Sequence, residues 1–235
     1  MKTLIVIPTY NEKENIKFLV SEIFYYLPTT DILFIDDNSP DQSATIIKEL
    51  QKTTPQIYLI ERPQKLGLGS AYLRGFKWGL ERDYDYFFEM DADLSHNPKY
   101  LPDFLKAIQT NDLVLGSRYI EGGDIENWSL MRRILSKGGS LYSQILLRLP
   151  YKDLTGGFKC FSSKVLRSID LDSVHSEGYC FQIELTYKTH KQKFKVKEIP
   201  IIFSNRSNGK SKISRKIVLE AILKIPFLPS YSSSD

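Results

Sequence analysis

The chain has few of the residues that cross-link proteins or bind soft metals, with two cysteines among its 235 residues. Cys160 and Cys180 show neither the spacing of a metal site nor that of a redox motif. We therefore expect two ordinary thiols and no disulfide bond.

Long apolar runs are also absent. No stretch approaches the roughly 18 apolar residues that span a bilayer, and the apolar run at residues 4–7 is too short for a signal peptide. Hydrophobic residues make up 42% of the chain and aromatic residues 12%, which is enough for one large domain, alone or with an appendage. We expect a cytoplasmic protein without a transmembrane segment.

Charge is unevenly distributed along the chain. Residues 1–117 carry 12 Lys and Arg against 17 Asp and Glu, whereas residues 118–235 carry 20 against 11. The basic second half favours an anionic partner, and nucleic acid, anionic lipid and phosphorylated small molecules all have the required sign. A basic face that is merely solvated fits the same counts.

Strand-like and helix-like segments alternate in the first half. The strand patterns cover residues 4–8, 32–36, 57–61, 86–90 and 113–117, and helical patterns cover 13–26, 41–53, 69–82 and 98–109. This order predicts an α/β fold with a mostly parallel sheet and helices on both faces. From residue 120 the regularity ends, so we expect the second half to be an elaboration around the site.

Two carboxylates, Asp91 and Asp93, follow the strand pattern at 86–90. Ligands of open parallel sheets bind at the carboxyl ends of the strands, and two acids one residue apart can approach a hard cation such as Mg²⁺. His96 follows the pair, but hard cations prefer oxygen, so we expect His96 to support the site. Capping of a turn or helix by the two acids is the alternative.

Other predicted strand ends carry polar and aromatic residues that suit a nucleotide. Tyr10 could stack on a base, and Glu12 and Asp37 could accept hydrogen bonds from the base or ribose. Ordinary turn chemistry explains the same residues. The segment 65–71 is a weak phosphate-loop signal, because it lacks both the third glycine of a dinucleotide site and a Gly-Lys-Ser/Thr sequence. We expect it to let the backbone approach a ligand.

In this order and spacing, seven segments resemble the family 2 glycosyltransferases of the GT-A (Rossmann-like) fold, and more narrowly the dolichyl- or polyprenyl-phosphate mannose synthases. They are residues 8–12, 35–41, 91–98, 116–119, 153–159, 178–184 and 203–212. The resemblance implies an inverting transfer of mannose from GDP-mannose to dolichyl or polyprenyl phosphate. It also implies that Asp91 and Asp93 bind Mg²⁺ or Mn²⁺ and act with Arg118 in catalysis.

The resemblance also implies a donor-binding set. Its members would contact the guanosine, the diphosphate or the metal: Pro8, Tyr10, Glu12, Ile35, Asp37, Asp91, Ala92, Asp93, Ser95, Arg118, Arg206 and Lys212. Two positions depart from the family pattern, with Gln42 where Gly is common and Ser95 where some relatives have Gln. The second departure puts a direct contact between Ser95 and the metal in question.

A lipid phosphate acceptor explains why no catalytic base is evident. Its second pKa is about 6, so it is largely ionised at neutral pH and needs no deprotonation. We expect its binding residues to be Arg118, one or both of Arg132 and Arg133, and Ser136. The sequence leaves open whether Arg118 serves the donor or the acceptor.

Two basic amphipathic segments, 128–149 and 213–228, fit an acceptor that lies in a membrane. A helix facing a core would show the same spacing. We expect a GT-A domain over 1–212 that includes segment 128–149, and an amphipathic helix and tail over 213–235. The protein would associate peripherally with the cytoplasmic face of a membrane, directly or through partner subunits.

Two other functions fit the same residues. One is transfer of glucose or another sugar from a donor such as UDP-glucose to the same lipid. The other is a protein that binds nucleotide sugars without catalysis. Nucleic acid is not an expected partner, because the strand ends are acidic and no recognised binding module is present.

Overall fold

The structure, a computed structural model, describes residues 1–126, 128–174, 176–204 and 224–228. The elements of the first half run in the order β1 (Thr3–Thr9), α1 (Lys13–Tyr26), β2 (Asp31–Asp36), α2 (Ser43–Gln51), β3 (Ile57–Glu61), α3 (Leu68–Leu80), β4 (Tyr86–Glu89), α4 (Leu101–Ile108) and β5 (Leu113–Ser117). A single 3₁₀ turn, Pro98–Tyr100, precedes α4. The five predicted strands are confirmed to within one residue at each end.

The second half adds β6 (Asp124–Ile125), α5 (Leu130–Leu147), β7 (Lys159–Ser162), α6 (Ser163–Ser168), α7 (Gly178–Lys191), β8 (Val196–Pro200) and β9 (Ile202–Phe203). Short 3₁₀ turns lie at Leu171–Ser173 and Ile225–Phe227. Segment 128–149 thus contains a helix, as predicted. The segment 213–228 lies outside the described residues except for 224–228, so that helix and the division at residue 212 stay predictions.

Seven strands form the main sheet in the order β3-β2-β1-β4-β7-β5-β8, and β6 pairs with β9 in a separate parallel pair. Among the described strands of the main sheet, only β7 is antiparallel to its neighbours. The sheet is therefore mostly parallel, as predicted, although β7 and β8 were not anticipated.

Side chains alternate across the sheet and build a core on each face. Ile5 and Ile7 pack on one face with α1 and α4, whereas Leu4 and Val6 pack on the other with α3 and α7. Helix α3 lies close to the sheet, because a side chain at Gly75 would clash with Val6. This close packing brings the start of α3 to the carboxyl ends of β1 and β4.

Gln42 shows why glycine suits that position. It precedes α2 with φ of 72°, in the left-handed region that only glycine adopts at little cost. Glutamine at position 42 therefore adds local backbone strain, and helix α2 still forms after it.

Within the described ranges, no helix is both long enough and apolar enough to cross a membrane.

Candidate active site

A cleft of about 380 Å³ opens at the carboxyl ends of β1, β2 and β4. These three strands are neighbours in parallel register, so the residues that follow them meet at one edge. The cleft is lined by the predicted residues Pro8, Tyr10, Glu12, Asp37, Asp91, Ala92 and Asp93. Its other lining residues are Thr9, Lys65, Gly67, Leu68, Glu177 and Gly178.

The acid pair is held by a tight turn after β4. Leu94 has φ of 64°, which turns the chain so that Ser95 and His96 face back toward the acids. The Asp93 carboxylate accepts hydrogen bonds from the Ser95 amide at 3.1 Å and from the Ser95 hydroxyl at 2.5 Å. Ser95 is buried and does not line the cleft. In this geometry it orients Asp93.

Asp91 is fixed from both sides. Its amide donates to Nδ1 of His96 at 2.9 Å, and its carboxylate accepts from the Tyr72 hydroxyl at 3.1 Å. Burial raises the pKa of Tyr72 well above its ordinary value, and the negative charge of Asp91 raises it further. Tyr72 therefore stays protonated and remains a donor. The Asp91 side chain is 28% exposed, so it remains open to the cleft.

The chemistry of this donor set fits a hard divalent cation, because carboxylate oxygens are its preferred ligands. In the described ranges, no group of three or more His, Cys, Asp and Glu side chains lies close enough to hold a metal. An ion at Asp91 and Asp93 would therefore take further ligands from water or substrate, which is usual for Mg²⁺.

Tyr72→Phe should weaken Mn²⁺ binding about tenfold, because groups that orient metal ligands are typically worth 10–100-fold in affinity. Isothermal titration with Mn²⁺ measures this. Tyr84→Phe is the matched control, since it removes a hydroxyl that donates to Asp31 at 2.6 Å, outside the cleft. Equal Mn²⁺ affinity in both variants and the wild type would show that Tyr72 does not orient a metal ligand.

Asp37 lies in the cleft but is paired with Arg62, which the sequence analysis missed. Arg62 donates to the Asp37 carboxylate, to the Ser70 hydroxyl at 2.7 Å and to the Gly67 carbonyl at 2.9 Å. The Leu66 amide also donates to Asp37, at 3.2 Å. A sequence signal did exist, because Asp37 and Arg62 directly follow the predicted strands 32–36 and 57–61, and adjacent parallel strands end at one edge.

Glu177 is a second residue that the sequence analysis missed. Its carboxylate accepts from the amides of Gly69 at 2.9 Å and Ser70 at 3.4 Å, at the start of α3. Gly67 has φ of 105°, a conformation that strains any other residue, and a Cβ there would lie 2.5 Å from a Glu177 oxygen and displace that carboxylate. The segment 65–71 thus brings its backbone to a carboxylate of the chain itself.

Ile35, which is also predicted for the donor, does not line the cleft. Ile35 is fully buried in the core, and its carbonyl accepts from the Thr9 hydroxyl at 3.4 Å. Arg206 and Lys212 lie outside the described residues, so their contacts with the donor stay predictions.

Arg118 is buried and does not line the cleft. It donates to both oxygens of Asp153, at 2.6 and 2.7 Å, and to the Thr155 hydroxyl at 3.0 Å. Burial alone would lower the pKa of Arg118, but Asp153 raises it above its ordinary value. The predicted contact between Arg118 and the donor diphosphate has no support in this geometry and stays a prediction.

The predicted acceptor residues gather around α5. The Ser136 and Thr155 hydroxyls are 3.1 Å apart, which places Ser136 beside the Arg118–Asp153 pair. The Arg132 guanidinium lies 3.8 Å from the Trp128 ring centroid, and Arg133 donates to the Ile125 carbonyl. Arg118, Arg132, Arg133 and Ser136 thus belong to one region around α5, and none of the four lines the cleft.

Residues 4–170 match the family model described as "Glycosyl transferase family 2". The chain belongs to glycosyltransferase family 2. It is 42% identical to an undecaprenyl-phosphate mannosyltransferase of Micrococcus luteus over 96% of this chain and 93% of that one. It is 43% identical to a polyprenol monophosphomannose synthase of Mycolicibacterium smegmatis over 95% and 85% of the two chains.

Solved structures show the same fold at low sequence identity. Glucosyl-3-phosphoglycerate synthase from Mycobacterium tuberculosis, solved with Mn²⁺ and UDP, matches 98% of this chain and 79% of its own, with a TM-score of 0.67 at 16% identity. A mannosyltransferase from Pyrobaculum calidifontis, solved with GDP-Man and Mn²⁺, matches 99% and 73%, with a TM-score of 0.60 at 14% identity. The GT-A fold predicted for this family 2 glycosyltransferase is confirmed.

Proposed function

We propose that this glycosyltransferase moves mannose from GDP-mannose to a polyprenyl phosphate, with inversion at the sugar. The observation that carries the proposal is that one cleft contains both the acid pair and the aromatic Tyr10. The two relatives at 42% and 43% identity, both named for mannose transfer to polyprenyl or undecaprenyl phosphate, support the sugar and the acceptor. The Pyrobaculum structure with GDP-Man supports the donor.

The residues that follow β1 and β2 would bind the guanosine part of the donor. Tyr10 would stack on the guanine, while Glu12 and Asp37 would accept hydrogen bonds from the guanosine. Both carboxylates are already oriented. The Asn15 side-chain amide donates to Glu12 at 2.9 Å, and Arg62 donates to Asp37. A site that is ordered before binding loses less entropy when the donor enters.

Asp91 and Asp93 would hold Mg²⁺ or Mn²⁺ at the diphosphate end. Such an ion, when bound, spreads the charge that develops on the leaving diphosphate. The chain's own contribution is to fix the two carboxylates through Tyr72, His96 and Ser95. No side chain has to remove a proton from the acceptor, because a lipid phosphate is already largely ionised at neutral pH.

The acceptor phosphate would bind near the first turn of α5. Arg132 and Arg133 lie in that turn, and both are partly exposed. Positioning the phosphate in line with the anomeric carbon is then the main catalytic task, and correct orientation alone can lower a barrier by about 7–11 kcal/mol.

Helix α5 buries mostly serines and exposes apolar side chains, an arrangement that fits peripheral contact with a membrane. Its buried residues are three serines and one leucine: Ser136, Ser140, Ser143 and Leu147. Its opposite face leaves apolar side chains more than half exposed: Leu130, Met131, Ile134, Leu141 and Ile145. Exposed apolar residues flanked by arginines suit the headgroup layer, where a polyprenyl phosphate would lie.

The double variant Ile134→Glu/Ile145→Glu should bind vesicles of phosphatidylcholine and phosphatidylglycerol at least about tenfold more weakly, because two apolar side chains lose their burial. Vesicle sedimentation measures this. Phe18→Glu on α1, where the phenylalanine is 56% exposed, is the control and should bind like the wild type. Equal loss in the control would mean that added negative charge alone weakens binding.

Incubation with a short polyprenyl phosphate and either GDP-mannose or UDP-glucose tests the proposed reaction. Mass analysis of the lipid, with Mn²⁺ and with EDTA, identifies the product. We expect a mannosyl phospholipid that forms from GDP-mannose only when the metal is present. A glucosyl product would assign the other sugar, and nucleotide binding without any product would indicate a non-catalytic protein.

A further inference from the structure

Lys65 covers the aromatic face that the proposed donor would use. Its ammonium lies 4.2 Å from the centroid of the Tyr10 ring, and both side chains line the cleft. No carboxylate of the described residues lies within ion-pair distance of Lys65. Among the hydrogen bonds, ion pairs and ring contacts of the described residues, the Tyr10 ring is thus the one partner of this ammonium.

The backbone on both sides of Lys65 is anchored. Arg62 is buried and bound to Asp37, and the Leu66 amide donates to the same carboxylate at 3.2 Å. The loop therefore holds the base of the Lys65 side chain beside the cleft, and the side chain is exposed, so a change of rotamer meets little packing. An exposed cation–π contact is weak, whereas stacking of a base on an aromatic ring is stronger.

We infer that Lys65 reads the nucleobase of the donor, an assignment that rests on the proposed function. A base that stacks on the ring face covered by Lys65 has to displace the ammonium. The flexible stem of lysine then lets the ammonium move to the edge of the stacked base. Guanine presents two acceptors there, O6 and N7, whereas adenine presents N7 beside an amino donor. Lys65 would therefore favour guanine over adenine.

Two effects of removing Lys65 oppose each other. Loss of the competitor for Tyr10 strengthens the binding of every base that stacks, whereas loss of the edge contact weakens the binding of guanine alone. The ratio of affinities for GDP and ADP cancels the first effect and isolates the second. This ratio is the quantity to measure.

Isothermal titration with GDP, ADP, UDP and guanosine tests the inference on the wild type, Lys65→Met and Lys65→Arg. We expect the GDP-to-ADP preference to fall about tenfold in Lys65→Met, as for a lost hydrogen bond to a charged group. Lys65→Arg should keep most of it, because arginine also binds O6 and N7. Lys99→Met is the matched control, since Lys99 lies 4.9 Å from the Tyr100 ring centroid outside the cleft.

An unchanged GDP-to-ADP preference in Lys65→Met would overturn the inference, and the direction of the change in affinity would show what Lys65 does instead. Equally tighter binding of all the nucleotides in Lys65→Met would show that Lys65 only covers Tyr10. Equal weakening of the three diphosphates with guanosine unchanged would assign Lys65 to the diphosphate. A wild type that does not prefer GDP would overturn the proposed donor together with the inference, whereas an unchanged preference in Lys65→Met overturns the inference alone.

Discussion

The Asp91→Asn variant is expected to transfer mannose about a thousandfold more slowly than the wild type, with unchanged thermal stability. Asp91 is the more exposed of the two acids, and its carboxylate faces the cleft beside Ala92 and Asp93. Asparagine keeps the shape of the side chain and can still accept from the Tyr72 hydroxyl. The variant therefore removes the negative charge while keeping the local packing.

The loss should appear in metal binding as well as in rate. One charged ligand would remain at Asp93, and a divalent ion prefers carboxylates to amide oxygens in such a site. Titration with Mn²⁺ and a transfer assay at saturating Mn²⁺ measure the two effects. Asp103→Asn, in the exposed first turn of α4, is the control for the loss of one negative charge. Normal transfer by Asp91→Asn at saturating Mn²⁺ would refute a metal role for Asp91.

The first half of the fold could be predicted because its signals are local. Each of β1 to β5 is a run of four to seven residues bounded by turn residues, and burial of such a run depends on its own side chains. The position of the cleft follows from the same argument, because parallel strands that are adjacent in the sheet end at one edge. Pro8, Tyr10, Asp37 and Asp91 could thus be placed together from the sequence.

Strand β7 could not be predicted, because its burial depends on distant residues. It contains Lys159, which is 1% exposed and is the register partner of Glu89 on β4. Burial raises the pKa of Glu89 to about 7 and lowers the pKa of Lys159 to about 8. From the sequence alone, a short segment that begins with lysine indicates a surface loop. Only the pairing with Glu89, 70 positions earlier, shows that Lys159 lies in a buried strand.

Arg118 shows the same limit within the predicted site. An arginine directly after β5 suggests a phosphate ligand, because ligands of parallel sheets bind at the carboxyl ends of the strands. Its partner Asp153 comes 35 residues later, on a loop that no periodic pattern defines. The sequence therefore indicates the position of the arginine, whereas the structure shows that its charge is already compensated.

Asp153→Asn should lower the free energy of unfolding by about 3–5 kcal/mol, because it leaves the buried Arg118 charge without its counterion. For a chain of this length the melting temperature should fall by about 10 °C. Asp83→Asn is the matched control, since it breaks the exposed pair between Arg167 and Asp83 at 3.3 Å and should cost less than about 1 kcal/mol. Thermal melts of both variants measure the difference.

The double variant Arg118→Met/Asp153→Leu tests whether Arg118 only stabilises the fold or also binds a substrate. Replacing both partners of a buried ion pair with apolar residues is often neutral for stability, so we expect this variant to recover most of the loss. Because Arg118 does not line the cleft, the double variant should bind GDP with the affinity of the wild type. A stable double variant that binds GDP more weakly would show instead that Arg118 reaches the donor. Normal GDP binding with slow transfer to the lipid would assign Arg118 to the acceptor phosphate, since the proposed acceptor site is the region around α5.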